Sequence, residues 1–333
     1  MKTNVFYDND ANVAHLANET VAVLGYGIQG TAFAANLRDS GVNVVVGNIQ
    51  DENFRRACED GFEVFSIAEA VKRSRIVLFL IPDQAQKAVY ENDIAPNLHA
   101  GHMVVFAHGY AIRYRKIVPQ ENIDVALLAP RMYGKTIRTY FTEGGGAPAF
   151  FDVVQDRSGR ARDRILAVAK AVGFTRSGLM HISVAEETEL DLFQEQFLFP
   201  ALIDFFETTF QFLCEHGFDP VASLMELYAS GETGETILDA ARLGLLEVIE
   251  QQGSPTCQFG IQQNRGKILS RDAIRQSAAK VLSEIQGDDF AQRLDAEAQS
   301  GYGQLRAYRQ QTSDSPLTRA HNKLREQLRF HRV

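Results

Sequence analysis

Four carboxylates fall within ten residues in the stretch ETELDLFQEQ, at 187–196. Two of them, Asp191 and Glu195, are four residues apart, which places both side chains on one face of a helix. The same line continues through Leu198 and Leu202, so this face is expected to become core. Buried carboxylates are costly unless a positive group pairs with them. A metal ion is one such group, and arginine or lysine salt bridges across a domain seam are the alternative.

A glycine motif, Gly25-x-Gly27-x-x-Gly30, ends the apolar run TVAVLGYGIQG at 20–30. A helix-forming stretch (31–41) and a second buried strand, VNVVVG (42–47), follow it. In a strand–helix–strand unit, such a turn lets backbone N–H groups at the helix start hold a pyrophosphate. We therefore predict dinucleotide binding here, and a tight turn without ligand is the alternative. The predicted contacts are Gly25, Tyr26, Gly27, Ile28, Gln29 and Gly30.

The loop after the second strand bears on the choice of dinucleotide. It reads Gly47-Asn48-Ile49-Gln50-Asp51-Glu52 and contains no basic residue before Arg55. A carboxylate suits a free ribose 2′-hydroxyl and repels a 2′-phosphate. Asn48, Asp51 and Glu52 are therefore predicted cofactor contacts, and NAD(H) is favoured. Two alternatives stay open: both acids cap the following helix, and Arg55 turns inward to admit NADP(H).

The elements that must position these residues follow an alternating pattern in the N-terminal half. Further strand-like runs occur at 75–82, 102–109 and 125–130, separated by helix-forming stretches. Strands alternating with helices indicate a parallel sheet with right-handed crossovers. We predict an α/β Rossmann-type domain over residues 1–182.

The C-terminal part, residues 183–333, is predicted to be an all-helical metal, substrate and dimerisation domain. Helical periodicity runs through 202–218, 233–253 and 271–311, and the stretch 197–213 is apolar almost all round. Helices of that kind need cover on several sides, so a homodimer through this domain is expected. The basic, polar tail at 313–333 is expected to fray.

Bulk composition excludes several classes of function. Among 333 residues, 45% are hydrophobic and 23% charged, which is ordinary globular material, and the net charge is −8. The negative charge argues against nucleic acid or an anionic membrane as the main partner. No uninterrupted apolar run reaches the roughly 18 residues of a membrane span, and the N-terminus lacks a secretion signal. Three cysteines without CxxC spacing fit a reducing cytoplasm.

Six stretches together resemble the ketol-acid reductoisomerase family, also called acetohydroxyacid isomeroreductase, in its short form. The similarity spans the chain nearly end to end and is strongest over 1–196. The stretches are VLGYGIQGTAFAANLRDSGVNVVVG (23–47), IPDQAQKAVYENDIAPNL (81–98), FAHGYAI (106–112), VALLAPRMYGK (125–135), EGGGAPAF (143–150) and EETELDLFQEQ (186–196).

The resemblance implies a reaction of branched-chain amino-acid synthesis in two steps. Two Mg²⁺ ions hold a 2-hydroxy-3-keto acid during an alkyl shift, and a nicotinamide hydride then reduces the new keto group. Asp191 and Glu195 match metal ligands, and Glu226 matches one that the family contributes from the partner subunit of a dimer. His108 matches an active-site histidine. The resemblance adds Pro82, Asp83, Gln84 and Gly134 to the cofactor contacts.

Three matched positions depart from the family, all on the substrate and metal side. Arg131 replaces a lysine, and arginine cannot act as an acid at neutral pH, although it can clamp a carboxylate or an oxyanion. Lys135, four residues on, is the candidate to compensate, so Arg131 and Lys135 join His108 as candidate catalytic residues. Ser230 replaces a metal-site glutamate, and the family's substrate-binding serine falls near Gln262.

Three functions follow from this pattern of departures. The favoured one is a cytoplasmic, Mg²⁺- and NAD(P)H-dependent ketol-acid reductoisomerase-like enzyme acting on a small keto acid such as 2-acetolactate. The second is a paralogue that has lost the alkyl shift and reduces another 2-keto acid or an imine. The third is a nucleotide-binding sensor without catalysis, against which the presence of His108, Asp191 and Glu195 counts.

Overall fold

The computed structural model describes residues 4–328, and the chain divides into two compact units between Leu190 and Asp191. The predicted domain border at 182/183 lies just before the helix within which the units divide, Val184–Phe193. The outermost residues of both predicted domains, 1–3 and 329–333, lie outside the described part.

A mostly parallel sheet forms the centre of the first unit. Its order within the described residues is β1-β9-β8-β7-β6-β5-β2-β3-β4, with only the β1–β9 and β7–β8 pairs antiparallel. The strands are β1 Val5–Phe6, β2 Thr20–Leu24, β3 Asn43–Gly47, β4 Glu63–Phe65, β5 Ile76–Phe79, β6 Met103–Phe106, β7 Asp124–Pro130, β8 Ala149–Gln155 and β9 Leu179–His181.

Eight α-helices accompany these strands among the described residues. They are α1 Ile28–Asp39, α2 Glu52–Glu59, α3 Ile67–Lys72, α4 Asp83–Val89, α5 Tyr110–Arg113, α6 Gly134–Thr142, α7 Ala161–Val172 and α8 Val184–Phe193. The five predicted strands and the Rossmann-type class are confirmed. Strands β1, β4, β8 and β9 were not predicted: β1, β4 and β9 have only two or three residues, and β8 is mostly half-buried and interrupted by Asp152.

Both faces of the central strands are buried, which explains their continuous apolar runs. On β2, Val21 and Val23 belong to one core cluster, while Ala22 and Leu24 belong to another. Strand β2 pairs with β3 on one side and with β5 on the other. The chain order therefore reverses at β2, and ligands of open α/β sheets bind at the carboxyl end of such a switch point.

The second unit is helical, as predicted. Its α-helices in the described range are α9 Phe199–Glu215, α10 Pro220–Leu224, α11 Glu232–Leu243, α12 Glu247–Gln252, α13 Pro255–Asn264, α14 Arg271–Gln286, α15 Asp289–Gln299, α16 Gly303–Ser313 and α17 Pro316–Gln327. Helix α17 packs Ala320 and Leu324 against Phe210 and Leu224. The tail is therefore ordered through this helix rather than frayed, and its last residues lie outside the described range.

Helix α8, a π turn at Gln194–Leu198 and α9 form one uninterrupted helix of 32 residues, Val184–Glu215. Pro200 occupies the first turn of α9. Proline has no N–H to donate, and the wider π turn precedes it without a break in the helix.

The expectation that the face continuing through Leu198 and Leu202 becomes core is wrong within one chain. Leu198 is 45% exposed and Leu202 is 37% exposed. The Val184–Glu215 helix is also long and apolar enough to cross a membrane by length and composition, although no uninterrupted apolar run predicted it. Only 6% of its most apolar window is buried, so one copy of the chain leaves this surface uncovered.

Candidate active site

The glycine-rich turn, Gly25–Gly30, joins β2 to α1, and its backbone requires glycine at two positions. Gly25 has a φ of +92°, and a Cβ there would lie 2.8 Å from the Leu80 carbonyl oxygen. A Cβ on Gly30 would lie 1.8 Å from the Gly25 carbonyl oxygen. A Cβ on Gly27 would instead meet nothing within 4 Å. The turn therefore leaves open space beside the start of α1, where a pyrophosphate fits.

Asn48 joins the glycine-rich turn to the loop after β3. Its side-chain oxygen accepts a hydrogen bond from the Tyr26 N–H at 3.0 Å, and its amide nitrogen donates to the Asp51 carboxylate at 2.8 Å. Asp51 also accepts from the Phe54 N–H at 3.0 Å and caps α2. Glu52 begins that helix and is exposed. Asp51 thus has a capping role, and a ribose contact by either acid stays a prediction.

The predicted contacts Pro82, Asp83 and Gln84 lie where the chain enters α4, with Pro82 as its N-cap. Gln86 closes this turn by donating to the Ile81 carbonyl at 2.9 Å and to the Asp83 carboxylate at 3.0 Å. Because β5 is the neighbour of β2, this turn and the glycine-rich turn share the carboxyl edge of the sheet.

A buried carboxylate, Glu187, organises the candidate catalytic residues of the first unit. Its Oε1 accepts a hydrogen bond from Arg131 Nη2 at 2.8 Å and lies 3.4 Å from His108 Nδ1. Its Oε2 accepts from the Gly109 N–H at 2.9 Å. Helix α8 carries Glu187, the loop after β6 carries His108, and the loop after β7 carries Arg131. Three segments distant in sequence therefore meet at one carboxylate.

Electrostatics keep Glu187 ionised although its side chain is fully buried. Burial alone would raise the pKa of Glu187. The hydrogen bond and charge of His108, the charge of Arg131 and the Gly109 N–H together hold that pKa below its ordinary value. An ionised Glu187 fixes the Arg131 guanidinium and holds His108 by Nδ1. A proton exchanged by His108 with a bound molecule would then pass through Nε2.

The sequence reading passed over Glu187, although a signal was present. Glu187 lies four residues before Asp191 on α8, so the acidic face begins one turn earlier than predicted. The cluster also requires glycine at position 109, because a Cβ there would lie 2.2 Å from Thr188 Oγ1. That close approach of α5 to α8 was not readable from the chain alone.

Lys135 is the second residue of α6, and Gly134 begins that helix. Both line a cleft of about 580 Å³ that also borders the glycine-rich turn at Gly27. The cleft is basic, since Arg56 and Arg138 line it as well. A catalytic role for Lys135 and a cofactor contact for Gly134 stay predictions.

Two of the three predicted metal ligands of the second unit lie inside π turns. Glu195 lies inside the π turn Gln194–Leu198, and Glu226 lies inside a second one, Met225–Ala229. Asp191 stands just before the first of these turns, on α8. A π turn inserts one extra residue per turn and is frequent at functional sites. All three residues offer carboxylate oxygens, which Mg²⁺ prefers, and their arrangement around an ion stays a prediction.

The departing positions also have defined places in the second unit. Ser230 is the exposed residue that ends the π turn at Met225–Ala229. Gly231 follows with a φ of +96° before α11 begins at Glu232. The helix is therefore interrupted at Gly231. Gln262 lies in α13 and is exposed.

A glycine-rich turn at the switch point of a parallel sheet is typical of a Rossmann-type dinucleotide-binding domain. Residues 15–178 match the family model "Acetohydroxy acid isomeroreductase, NADPH-binding domain", and residues 184–330 match "Ketol-acid reductoisomerase, C-terminal domain". The chain therefore belongs to the ketol-acid reductoisomerase family, and the resemblance found in the sequence is confirmed.

Solved structures agree with this assignment. An NADH-preferring ketol-acid reductoisomerase from an uncultured archean superposes with a TM-score of 0.92 at 31% identity, covering 98% of this chain and 99% of that one. A semialdehyde dehydrogenase NAD-binding protein from Cupriavidus necator, in complex with calcium and NAD, has a TM-score of 0.58 at 18% identity. It covers 79% of this chain and 99% of its own, and at that identity it shows the fold alone.

Proposed function

We propose that this chain is a Mg²⁺-dependent, NADH-preferring ketol-acid reductoisomerase that converts a 2-hydroxy-3-keto acid such as 2-acetolactate into a 2,3-dihydroxy acid. The observation that carries the proposal is the Glu187 cluster, which unites a proton-exchanging histidine with a permanent cation at the carboxyl edge of the Rossmann sheet. Family membership supplies the reaction class, and the cluster supplies groups that the reaction needs.

Each residue of the cluster has a defined task in this proposal. Arg131 clamps a substrate carboxylate or an oxyanion as negative charge develops. His108 exchanges a proton with a substrate oxygen through Nε2, while Glu187 holds its ring by Nδ1. A buried, ionised Glu187 also stabilises the imidazolium form during that exchange.

The residues present suit both a nicotinamide dinucleotide and Mg²⁺. The open space at Gly27 and the close packing at Gly30 suit a dinucleotide, and the carboxylates Asp191, Glu195 and the partner subunit's Glu226 are donors suited to magnesium. When bound, the nicotinamide supplies the hydride and Mg²⁺ supplies Lewis acidity. Asp51 and Glu52 place negative charge next to the α2 start, which favours NADH over NADPH.

A homodimer completes the proposal, since the second unit leaves apolar helix surface uncovered in one copy. Family membership favours a second copy of the same unit as the partner that covers this surface. Burial of the Val184–Glu215 helix against that copy would explain why the helix is apolar without placing it in a membrane. A small-molecule reductase with this surface buried in a dimer would reside in the cytoplasm.

A second function is favoured by two observations. Arg131 keeps its charge and is bound to Glu187, and Ser230 offers no carboxylate. Both features weaken proton exchange and metal binding, which the alkyl shift needs more than a carbonyl reduction does. The second candidate is therefore a reductase of another 2-keto acid or imine that has lost the shift.

The test is oxidation of NADH and NADPH with 2-acetolactate and, separately, with the rearranged 3-hydroxy-3-methyl-2-oxobutanoate, each with and without Mg²⁺. Mg²⁺-dependent turnover of both compounds supports the isomeroreductase. Turnover of the second compound alone supports the reductase that has lost the shift. Turnover of neither contradicts the isomeroreductase and places the substrate outside this class of compounds. Arg131→Lys is the matched variant. If this variant turns over 2-acetolactate and the wild type does not, Arg131 is what blocks the alkyl shift.

A further inference from the structure

Three residues between β7 and α6, Arg131–Tyr133, form the Arg131 loop, which is held at two positions. At its start, the Arg131 N–H donates to the Pro148 carbonyl at 3.0 Å, just before β8. At its middle residue, the Met132 carbonyl accepts a hydrogen bond from Gln29 Nε2 at 3.0 Å. Gln29 belongs to the glycine-rich turn, so one side chain ties the nucleotide turn to the Arg131 loop.

Backbone packing brings the two segments together at the same place. A Cβ on Gly134 would lie 1.8 Å from the Ile28 carbonyl oxygen and 3.1 Å from the Gln29 nitrogen. The start of α6 therefore rests directly on the start of α1. A shift of the glycine-rich turn is transmitted to the Arg131 loop by contact as well as by the Gln29 hydrogen bond.

The position of the Arg131 guanidinium depends on the backbone of the Arg131 loop. It lies 5.0 Å from the centroid of the Phe150 ring and donates to Glu187 at 2.8 Å. Met132 directly follows Arg131 in the chain. The Gln29–Met132 hydrogen bond therefore restrains the backbone next to Arg131, and with it the position of the side chain that contacts Glu187.

Gln29 has one further feature that points to a ligand. Its Oε1 atom is buried and has no hydrogen-bond partner among residues 4–328. Buried acceptors without a partner are uncommon in native structures. A hydroxyl or amide N–H of a bound dinucleotide can satisfy Oε1 while Nε2 continues to hold Met132.

We propose that Gln29 is a positioning residue that couples occupancy of the glycine-rich turn to the placement of Arg131. In this arrangement the amide donates to the Arg131 loop on one side and accepts from the dinucleotide on the other. Dinucleotide binding thereby fixes the guanidinium before the carbonyl substrate arrives. The catalytic consequence rests on the proposed function, whereas the coupling itself does not.

The experiment measures the rate at which phenylglyoxal modifies Arg131, by peptide mass spectrometry of the full chain, with and without NADH. The wild type should be protected by NADH about fivefold or more, a usual size for coupling between sites. Gln29→Met removes donor and acceptor at similar volume. It should bind NADH, followed by cofactor fluorescence, yet lose most of the protection.

Gln155→Met is the matched control. Gln155 makes the same kind of contact, donating Nε2 to the Gln120 carbonyl at 2.8 Å and to the Ile123 carbonyl at 2.6 Å. It should keep the full protection of Arg131. Loss of protection in this control would show general loosening and would overturn the proposal.

Three other results would also overturn it: no protection in the wild type, full protection in Gln29→Met, or failure of Gln29→Met to bind NADH. In the last case Gln29 serves the dinucleotide and not the Arg131 loop. For turnover of any substrate that the wild type accepts, Gln29→Met should lower kcat about tenfold with a smaller change in the KM for NADH. A wild type that turns over no tested substrate contradicts the proposed function and leaves the protection result standing.

Discussion

The two compact units differ in how much of their apolar surface one chain covers. In the first unit, strands β5 and β6 are buried along their whole length, and apolar clusters lie on both faces of the sheet. In the second unit, large apolar side chains remain exposed along several helices, among them Ile203, Phe205, Phe212, Leu238, Leu245 and Ile268. The first unit therefore completes its own core, whereas the second leaves large apolar side chains exposed.

The largest effect is expected on that uncovered surface. Ile203→Glu places a charge on α9, where Ile203 is 51% exposed in one copy. If a second copy covers α9, the buried charge costs roughly 3 kcal/mol or more and weakens the dimer at least about 100-fold. Sedimentation velocity over a concentration series would measure this, together with the accompanying loss of turnover.

Val118→Glu provides the matched change in the first unit, since Val118 is 76% exposed. It should leave both the assembly and the activity unchanged. Equal weakening by the two variants, or a stable dimer in Ile203→Glu, would remove the contrast between the two units.

The next effect is expected at the charged cluster. Glu187→Gln removes the charge that pairs with Arg131 and His108 in a fully buried place. We expect a fall in kcat of about 100-fold, because the remaining groups lose their orientation and one buried charge is left unpaired. Glu186→Gln, at an exposed neighbour on α8, should keep nearly full activity under the same assay.

The same residue predicts a pH dependence of stability. The pKa of Glu187 in the folded protein lies below its ordinary value of 4.5. The ionised form therefore stabilises the fold above that value, and the contribution is lost as pH falls through the folded pKa. In urea unfolding, the stability gap between wild type and Glu187→Gln should shrink as the pH falls below 4.5 and through the folded pKa of Glu187. A gap that grows on acidification would contradict this assignment.

A smaller effect is expected for cofactor choice. Asp51→Ser keeps an N-cap on α2, since serine also accepts from a backbone N–H, but removes a negative charge beside the loop. Affinity for NADPH should rise about tenfold while affinity for NADH changes less than about threefold. Fluorescence titrations of both dinucleotides would measure this, and Glu69→Ser on α3 is a control that removes an acid outside the loop after β3. An unchanged NADPH affinity would show that Asp51 only caps the helix.

The smallest effect is expected for two serine N-caps, one in each unit. Ser66 caps α3 and Ser270 caps α14, each accepting a backbone N–H at 3.3 Å. Each change to alanine should cost about 1 kcal/mol of unfolding free energy. If the second unit is stabilised by association, only the Ser270→Ala transition should move with protein concentration. A concentration dependence shared equally by both variants would indicate that the units unfold together.

The sequence alone determined most of the first unit and part of the site. Five central strands and the glycine-rich turn were predictable, because fully buried parallel strands are continuous apolar runs and the turn admits only glycine at Gly25 and Gly30. His108 and Arg131 were singled out by resemblance, and helical periodicity predicted the second unit.

Only the tertiary structure decided that Glu187 joins His108 and Arg131, since the three residues come from segments that meet through folding. It also decided that Gln29 holds the Arg131 loop, a contact over 103 residues of chain. The two π turns at Glu195 and Glu226 were invisible as well, because a single extra residue in a turn leaves hydrophobic periodicity almost unchanged. Local patterns report burial and helix formation, whereas a site made of distant groups depends on which elements pack together.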